Sequence, residues 1–317
     1  MGPDMQTRVF SPDADGYDAA ASALRDGGLV AFPTETVYGL GGDARNDMAV
    51  ARIFEAKARP RFNPLIVHVN SISAAREFVE WPDQADILAQ AFWPGPMTLV
   101  LPLKPGTGLS PLVTADLPTL AIRVPAHPVA QNLLATFGGP VAAPSANPSG
   151  RISPTTADHV LAGLNGKIAA VLDGGACEVG VESTILGLAG TPTLLRPGGL
   201  PVEAIEAALH DTLDTRGNCD PLTAPGQLAS HYAPNAQVRL EATEKRTGEV
   251  LLGFGPVDAD LNLSPAGDLT EATANLFRHL HSLDAMGAET IAVSPIPNHG
   301  LGRAINDRLR RAASPRS

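Results

Sequence analysis

The feature that most constrains this chain is a set of short apolar runs, each leading into a loop of glycine, proline, serine or asparagine. Leu29-Val30-Ala31-Phe32 leads into Pro33-Thr34-Glu35-Thr36, and Val141-Ala142-Ala143 leads into Pro144-Ser145-Ala146-Asn147-Pro148-Ser149-Gly150. Further runs lie at Leu65–Val69, Met97–Leu103, Leu120–Val124, Ile168–Leu172, Ser183–Leu188 and Thr193–Arg196. Runs of this length read as buried strands, because a helix needs about ten residues or more. Helical stretches lie between them at 17–27, Met48–Ala58 and His127–Phe137. The pattern predicts a mixed α/β sheet with its site at the strand ends.

Local signals sharpen this picture. Asp47 is the expected N-cap of the helix at Met48–Ala58, and Ser153, followed by Pro154, the expected cap of a later one. Pro33 to Gly42 is polar and glycine-rich, which predicts a loop. Val50, Ile53, Phe54 and Lys57 share one helix face by their spacing. That face begins apolar and ends on a lysine, so it carries a charge inward before Pro60 stops the helix.

Near Leu209 the pattern lapses. Residues 210–238 are polar and punctuated by glycine and proline, a linker, yet they hold the compact segment Ser230-His231-Tyr232-Ala233-Pro234. Beyond it a strand at Glu249–Phe254, a helix at 268–286, a strand at Thr290–Val293 and a helix at Gly302–Ala313 describe a small βαβ-like unit.

The 317 residues suit about two domains. No run of about 18 apolar residues occurs, so no membrane span is expected. The first residues lack a signal-peptide pattern, and two cysteines, Cys177 and Cys219, are too few for a disulfide framework. A cytoplasmic protein is expected. The 23 Lys and Arg against 33 Asp and Glu give a net charge of −10. Non-specific grip on nucleic acid needs many basic phosphate contacts. An acidic shell around a small cationic pocket suits a small anionic substrate better.

Such a pocket is suggested by Lys57 and Arg59 at a helix end and by Ser145 and Asn147 in the second loop. The cation pair alone requires no ligand, since the helix dipole stabilises it by ~0.3–1 kcal/mol. Ser145 and Asn147 are also ordinary turn formers. His68 by itself reads as a core histidine. Arg123 in Ala-Ile-Arg-Val-Pro and Arg196 after Leu-Leu are harder to place without a carboxylate or phosphate partner. Several chemistries drop out. No Walker-type phosphate loop occurs, and Gly39-Leu40-Gly41-Gly42-Asp43-Ala44 lies too far ahead of the next helix for a dinucleotide fingerprint. His279 and His281 are two apart on a helix and share no face. Ser145 lacks a nucleophile elbow, and Cys177 reads as a packed small residue.

Taken together, the motifs resemble a known family. Phe32-Pro-Thr-Glu-Thr-Val-Tyr-Gly-Leu40, Lys57-Ala-Arg-Pro60, Asn63-Pro-Leu-Ile-Val-His68, Trp93-Pro-Gly-Pro-Met-Thr98, Ala121-Ile-Arg-Val-Pro125, Pro144-Ser-Ala-Asn147, Val181-Glu-Ser-Thr-Ile185 and Leu195-Arg-Pro-Gly198 occur in the order of the YrdC-like threonylcarbamoyl-AMP synthases. His231-Tyr-Ala-Pro234 and the closing Gly302–Ala313 segment resemble the two-domain long form. The resemblance implies a YrdC-like catalytic domain over 14–205, a linker with a lid motif over 206–238, and a small C-terminal domain over 239–317. It implies a twisted mixed α/β sheet with a concave basic site, plus a Rossmann-like C-terminal domain. This sequence departs from the family in Ala58, where glycine is common, and in a C-terminal domain that looks short.

The activity implied is synthesis of L-threonylcarbamoyl-AMP from L-threonine, bicarbonate and ATP, with release of pyrophosphate. The product feeds N6-threonylcarbamoyl modification of adenosine 37 in tRNA through a separate transferase complex; direct tRNA binding is left open. By resemblance, Lys57, Arg59, Ser145 and Asn147 form a catalytic polar tetrad around the phosphates and carbamate. Arg59 and Ser145, with Asn63, Thr119, Ser153, Arg196 and Tyr232, border ATP, and Tyr232 closes the site as a lid. Thr36, His68, Arg123, Ala143 and Ser183 hold threonine. Magnesium is expected on the triphosphate, without protein ligands. The alternative, a non-catalytic RNA-binding or ribosome-assembly module, sits poorly with the acidic total and low aromatic content.

Overall fold

The computed structural model of the chain describes residues 6–60, 62–215 and 231–315. The expected linker falls partly on 216–230, so Cys219 and Ser230 lie outside the described residues. In chain order the elements begin β1 (Arg8–Phe10), α1 (Ala14–Arg25), β2 (Val30–Pro33), β3 (Tyr38–Asp43), α2 (Asp47–Lys57), β4 (Ile66–His68), α3 (Ile72–Arg76) and α4 (Asp83–Phe92). They continue with β5 (Met97–Pro102), α5 (Pro111–Thr114), β6 (Thr119–Arg123), α6 (Pro128–Phe137), β7 (Val141–Ala142), α7 (Ala157–Leu164), β8 (Ala170–Leu172), β9 (Thr184–Gly187), β10 (Thr193–Arg196) and α8 (Val202–Leu209). The last are β11 (Asp214–Thr215), β12 (Gln237–Arg239), β13 (Glu249–Gly253), β14 (Leu261–Asn262), α9 (Leu269–Ala285), β15 (Thr290–Val293) and α10 (Gly302–Ala313).

Among the described residues, eleven strands form one mixed sheet in the order β1-β8-β2-β3-β7-β4-β6-β5-β9-β10-β11. Four more form a second, parallel sheet in the order β12-β15-β13-β14. No helix among the described residues is long and apolar enough to cross a membrane.

Three local expectations are corrected. Pro33 to Gly42 is a hairpin rather than a loop: β3 runs antiparallel to β2, with Pro33 opposite Tyr38 and Val30 opposite Gly41. Its glycines serve packing, since a Cβ on Gly41 would lie 2.8 Å from the Phe32 ring and 2.9 Å from Val141. Asn46, not Asp47, caps α2, its side chain accepting from the amides of Met48 and Ala49. Asp47 is instead the first helical residue, where its charge suits the helix dipole. Thr156, not Ser153, caps α7 by accepting from the His159 amide. Ser153 is thereby left for another partner.

Register decides which face of the large sheet is open. Ile66 pairs with Ala121 and His68 with Arg123, while Val100 faces Ala121 and Thr98 faces Ile185. Alternation puts these side chains on one face, and Val67, Leu99, Ile122 and Leu186 on the other. The second set lies in the main core with Val50, Ile53 and Phe54 of α2. The first face carries His68 and Arg123 above an apolar floor of Ile66, Val100, Ala121 and Ile185.

The small sheet buries its own core, including Leu276, Phe277, Leu280 and Ile305, but does not close on itself. Val37, Ile152, Val181 and Tyr232 join that core. At ~1.5–3 kcal/mol for each fully buried side chain, this shared patch rivals the whole stability of many domains. The small-sheet unit is thus held against the loops of the large-sheet unit that carry Val37, Ile152 and Val181.

Candidate active site

A pocket lies on the face of the large sheet that carries His68 and Arg123, bordered by His231 and Tyr232. Thr36, Arg59, His68, Arg123, Ala143, Ser145, Ser183, Arg196 and Tyr232 line it. The expected residues outside its lining are Lys57, Asn63, Thr119, Asn147 and Ser153.

Helix α2 ends on Lys57, whose carbonyl accepts from the Ser149 amide at 2.7 Å. Its ammonium is buried and donates to the Ser145 carbonyl at 2.5 Å and to the Asn147 carbonyl. Burial and the neighbouring Arg59 lower the Lys57 ammonium well below its usual range. The charge that the helix face carries inward therefore grips the loop that bears Ser145. Asn147 grips the same loop further on, its amide donating to the carbonyls of Pro148 and Arg151 at 2.9 Å each, while its Oδ1 has no partner among the described residues. The chain then turns through Ala58 in the left-handed region, φ 49°. This brings Arg59 back toward the pocket.

Arg59 Nε donates to the Asn63 carbonyl at 3.3 Å and Nη2 to the Pro64 carbonyl at 3.0 Å. Burial lowers its guanidinium to about 10. Asn63 is buried behind it, its own amide nitrogen without a partner among the described residues. Arg196, at the end of β10, donates through Nη2 to the Ser183 carbonyl at 2.8 Å, and burial lowers it too. Ser183 shares a 2.7 Å hydrogen bond with Thr98. Thr119 begins β6 on the face that carries Ala121 and Arg123, at the far end of the apolar floor.

Arg123 makes three contacts at the opposite end. Nε donates to the Gly95 carbonyl at 3.2 Å, Nη1 to Thr36 Oγ1 at 3.0 Å, and Nη2 to Glu35 Oε1 at 2.5 Å. Glu35 Oε2 also accepts from the Ala126 amide at 3.0 Å. Burial pushes the Glu35 carboxyl up, but the Arg123 guanidinium more than offsets it and keeps it below its ordinary value. Beside Arg123, burial and that guanidinium lower His68 to about 3, so its imidazole is neutral.

Three charged residues around the pocket escaped the sequence reading. Glu35 and Glu182 stand in motifs quoted above but drew no role, although a carboxylate inside Thr-Glu-Thr-Val or Val-Glu-Ser-Thr is buried only with a partner. Glu182 lines the pocket and accepts from Ser153 Oγ at 2.5 Å. The third is Arg308 of α10, fully buried and bonded to Glu182 Oε2 at 2.7 Å. Nothing local marks Arg308 apart from the exposed Arg310 two residues on.

Tyr232 is buried with φ 63°, its ring 5.6 Å from that of Phe277 and 5.0 Å from the Arg308 guanidinium. The preceding His231 accepts the Tyr232 amide on Nδ1, and burial lowers its imidazole to about 3. The Ala233 amide donates to the Gly150 carbonyl at 2.8 Å, tying this segment to the loop after Asn147. Cys177 is a free, buried thiol, pushed up by burial. His281 stacks on His159 with ring centres 3.9 Å apart.

The whole chain is similar to known proteins. A family model described as "Telomere recombination" matches residues 22–198, and one described as "Threonylcarbamoyl-AMP synthase, C-terminal domain" matches residues 200–314. The chain is 42% identical to a threonylcarbamoyl-AMP synthase of Pyrococcus abyssi over 318 aligned residues, covering 93% of each chain. It is 42% identical to one of Bacillus subtilis, covering 94% of this chain and 92% of the other. The fold superposes on a crystal structure of P. abyssi Sua5 complexed with L-threonine with a TM-score of 0.90. That match has 39% identity and covers 97% of this chain and 98% of that one.

Proposed function

This chain belongs to the threonylcarbamoyl-AMP synthase family, and from that premise we propose that it joins L-threonine, bicarbonate and ATP into L-threonylcarbamoyl-AMP, releasing pyrophosphate. The observation that carries the reading is the pocket itself. Three guanidiniums, of Arg59, Arg123 and Arg196, line it with a single carboxylate, Glu182. A concave site with that balance suits an anionic triphosphate and a carboxylate substrate together.

Bicarbonate takes up a proton and loses water to give CO2; the threonine amine attacks its carbon and releases a proton, giving a carbamate. A carbamate oxygen then attacks the α-phosphorus of ATP while the bond to pyrophosphate breaks. This chemistry asks for charge neutralisation and alignment more than for an acid or base. We assign Arg59 and Ser145 to the phosphates and carbamate. Lys57 and Asn147 complete the tetrad by fixing the loop that carries Ser145. Asn63, Thr119, Ser153, Arg196 and Tyr232 border ATP; Thr36, His68, Arg123, Ala143 and Ser183 border threonine. Tyr232 acts as a lid that keeps water from the adenylate.

Magnesium is assigned to the triphosphate, as part of the substrate: Glu182 already has one oxygen on Ser153 and the other on Arg308. Four parallel strands with α9 and α10 support a Rossmann-like reading of the small-sheet unit. We place the reaction in the cytoplasm, with its product passed to a separate tRNA threonylcarbamoyl-transferase complex.

The test is pyrophosphate release by purified protein with ATP and magnesium, leaving out threonine or bicarbonate in turn. Release that needs both substrates is the expected result. Release with neither would mark a general nucleotide hydrolase, and none at all would refute the reading.

A further inference from the structure

Helix α10 carries four arginines, and only Arg308 is fully buried. A buried arginine is costly unless its donors are matched, and apolar residues often hold two packed bodies together as well or better. Arg303 of the same helix ties the small sheet to Glu203 through an exposed pair. Arg308 therefore adds something that attachment alone does not require.

Its contacts show what that is. Nε donates to Glu182 Oε2 at 2.7 Å, Nη1 donates to Asp307 Oδ2 at 2.6 Å, and the guanidinium lies against the Tyr232 ring. The other Glu182 oxygen accepts from Ser153 Oγ. Burial would push the Glu182 carboxyl up, but Arg308, Arg196 and Ser153 bring it down to about 2. An ionised carboxylate only accepts, so the serine gives it its single proton. Ser153 is left with lone pairs alone, and these suit a donor of the nucleotide, a ribose hydroxyl or the adenine amine, rather than a phosphate oxygen.

We infer that Arg308 is a positioning residue for the nucleoside part of ATP, acting through Glu182 to hold Ser153 as a hydrogen-bond acceptor. This rests on the functional reading above, in which Ser153 borders ATP, and extends it to a residue of the small-sheet unit. The line Arg308–Glu182–Ser153 makes the nucleoside subsite depend on the seating of α10.

The test compares full-length Arg308→Met, Arg308→Lys, Arg308→Met with Glu182→Gln, and the surface control Arg303→Ala. Thermal unfolding reports whether each folds, calorimetry gives affinities for ATP and AMP, and steady-state kinetics give the threonine KM and inhibition by pyrophosphate. Arg308→Met is expected to weaken ATP and AMP alike by about tenfold or more, the loss of one charge-assisted contact. Threonine KM and pyrophosphate inhibition should stay within about twofold, with Arg308→Lys recovering part of the loss. The double variant should be no weaker than Arg308→Met, because both changes cut one path. Arg303→Ala should bind as the parent does. A folded Arg308→Met that binds ATP and AMP like the parent overturns the inference, as does an equal loss of threonine. If Arg308→Met does not fold, the double variant, which leaves Glu182 without an unpaired charge, is judged by the same criteria. A parent chain that binds no ATP overturns the functional reading and this inference with it; a parent that binds beside an unaffected variant overturns the inference alone.

Discussion

Glu35 holds Arg123 in a buried ion pair, with 2.5 Å between Oε1 and Nη2 and each side chain less than a tenth exposed. The arginine that stood out among strand apolars thus has an internal carboxylate, while Thr36 and Gly95 take two more of its donors. Its fork is fixed before any substrate carboxylate arrives, which is how a site gains affinity without ordering cost. Glu35→Gln should therefore lower stability by about 3–5 kcal/mol, the cost of breaking a buried pair. It should also raise the threonine KM by about tenfold or more while moving the ATP KM less. Denaturant titration and steady-state kinetics check both, and an unchanged threonine KM would remove Arg123 from the threonine subsite.

Ala58 sits at φ 49°, a region that costs a residue with a Cβ about 1–2 kcal/mol. Glycine would remove that strain but lose more chain entropy on folding, by about 0.4–1 kcal/mol. Ala58→Gly should therefore stabilise the protein by about 0.5 kcal/mol and leave turnover unchanged. A shift in the urea midpoint at constant m-value checks it; destabilisation would mean that the turn between Lys57 and Arg59 gains from stiffness.

How far the sequence could be read follows from these residues. Unbroken apolar runs reported β4, β5 and β6 closely, because a buried strand leaves its mark on consecutive positions. The hairpin at β3 was hidden, since glycines chosen for close approach to Phe32 and Val141 look like loop glycines. Caps were misplaced by one to three residues where neighbouring polar side chains competed for the same amides, as Asn46 and Asp47 do. Arg59 was visible as a charge at a helix end, and Ser145, Arg123 and Arg196 as charges or polar groups at strand ends. Arg308 was not: its partner Glu182 is 126 residues away, and no local pattern encodes that meeting.

Acid should unfold this protein in a defined window. Burial lowers His68 and His231 to about 3 and His159 to about 4, each beneath its ordinary value near 6.5. The unfolded chain therefore binds more protons, and stability is lost as pH falls from about 6.5 toward 3. Glu182, held at about 2, loses its contribution below the ordinary carboxyl range, in the same direction. The combined loss by pH 4 is on the order of several kcal/mol, a large part of a typical margin. Denaturant titrations from pH 7 to pH 4 should show the decline. His159→Gln, outside the pocket, should make it shallower by nearly one proton. A flat profile would mean that these imidazoles are solvated in the fold.

The lid reading predicts that packing, not the phenol group, matters at Tyr232. Its ring stacks on Phe277 and lies against Arg308, and it lines the pocket from the linker side. Tyr232→Phe should keep both stability and turnover. Tyr232→Ala should cost about 3–5 kcal/mol as a buried aromatic truncation. It should also release threonylcarbamoyl-AMP faster while weakening threonine binding less. Phe277 packs on Tyr232 without itself lining the pocket, so Phe277→Leu should show a milder form of the same effect, a few-fold faster release at about 1.5 kcal/mol or less of stability. Rapid-quench separation of bound from free adenylate distinguishes the cases. If Tyr232→Ala retains the adenylate as long as the parent does, the ring is only a part of the shared core and closes nothing.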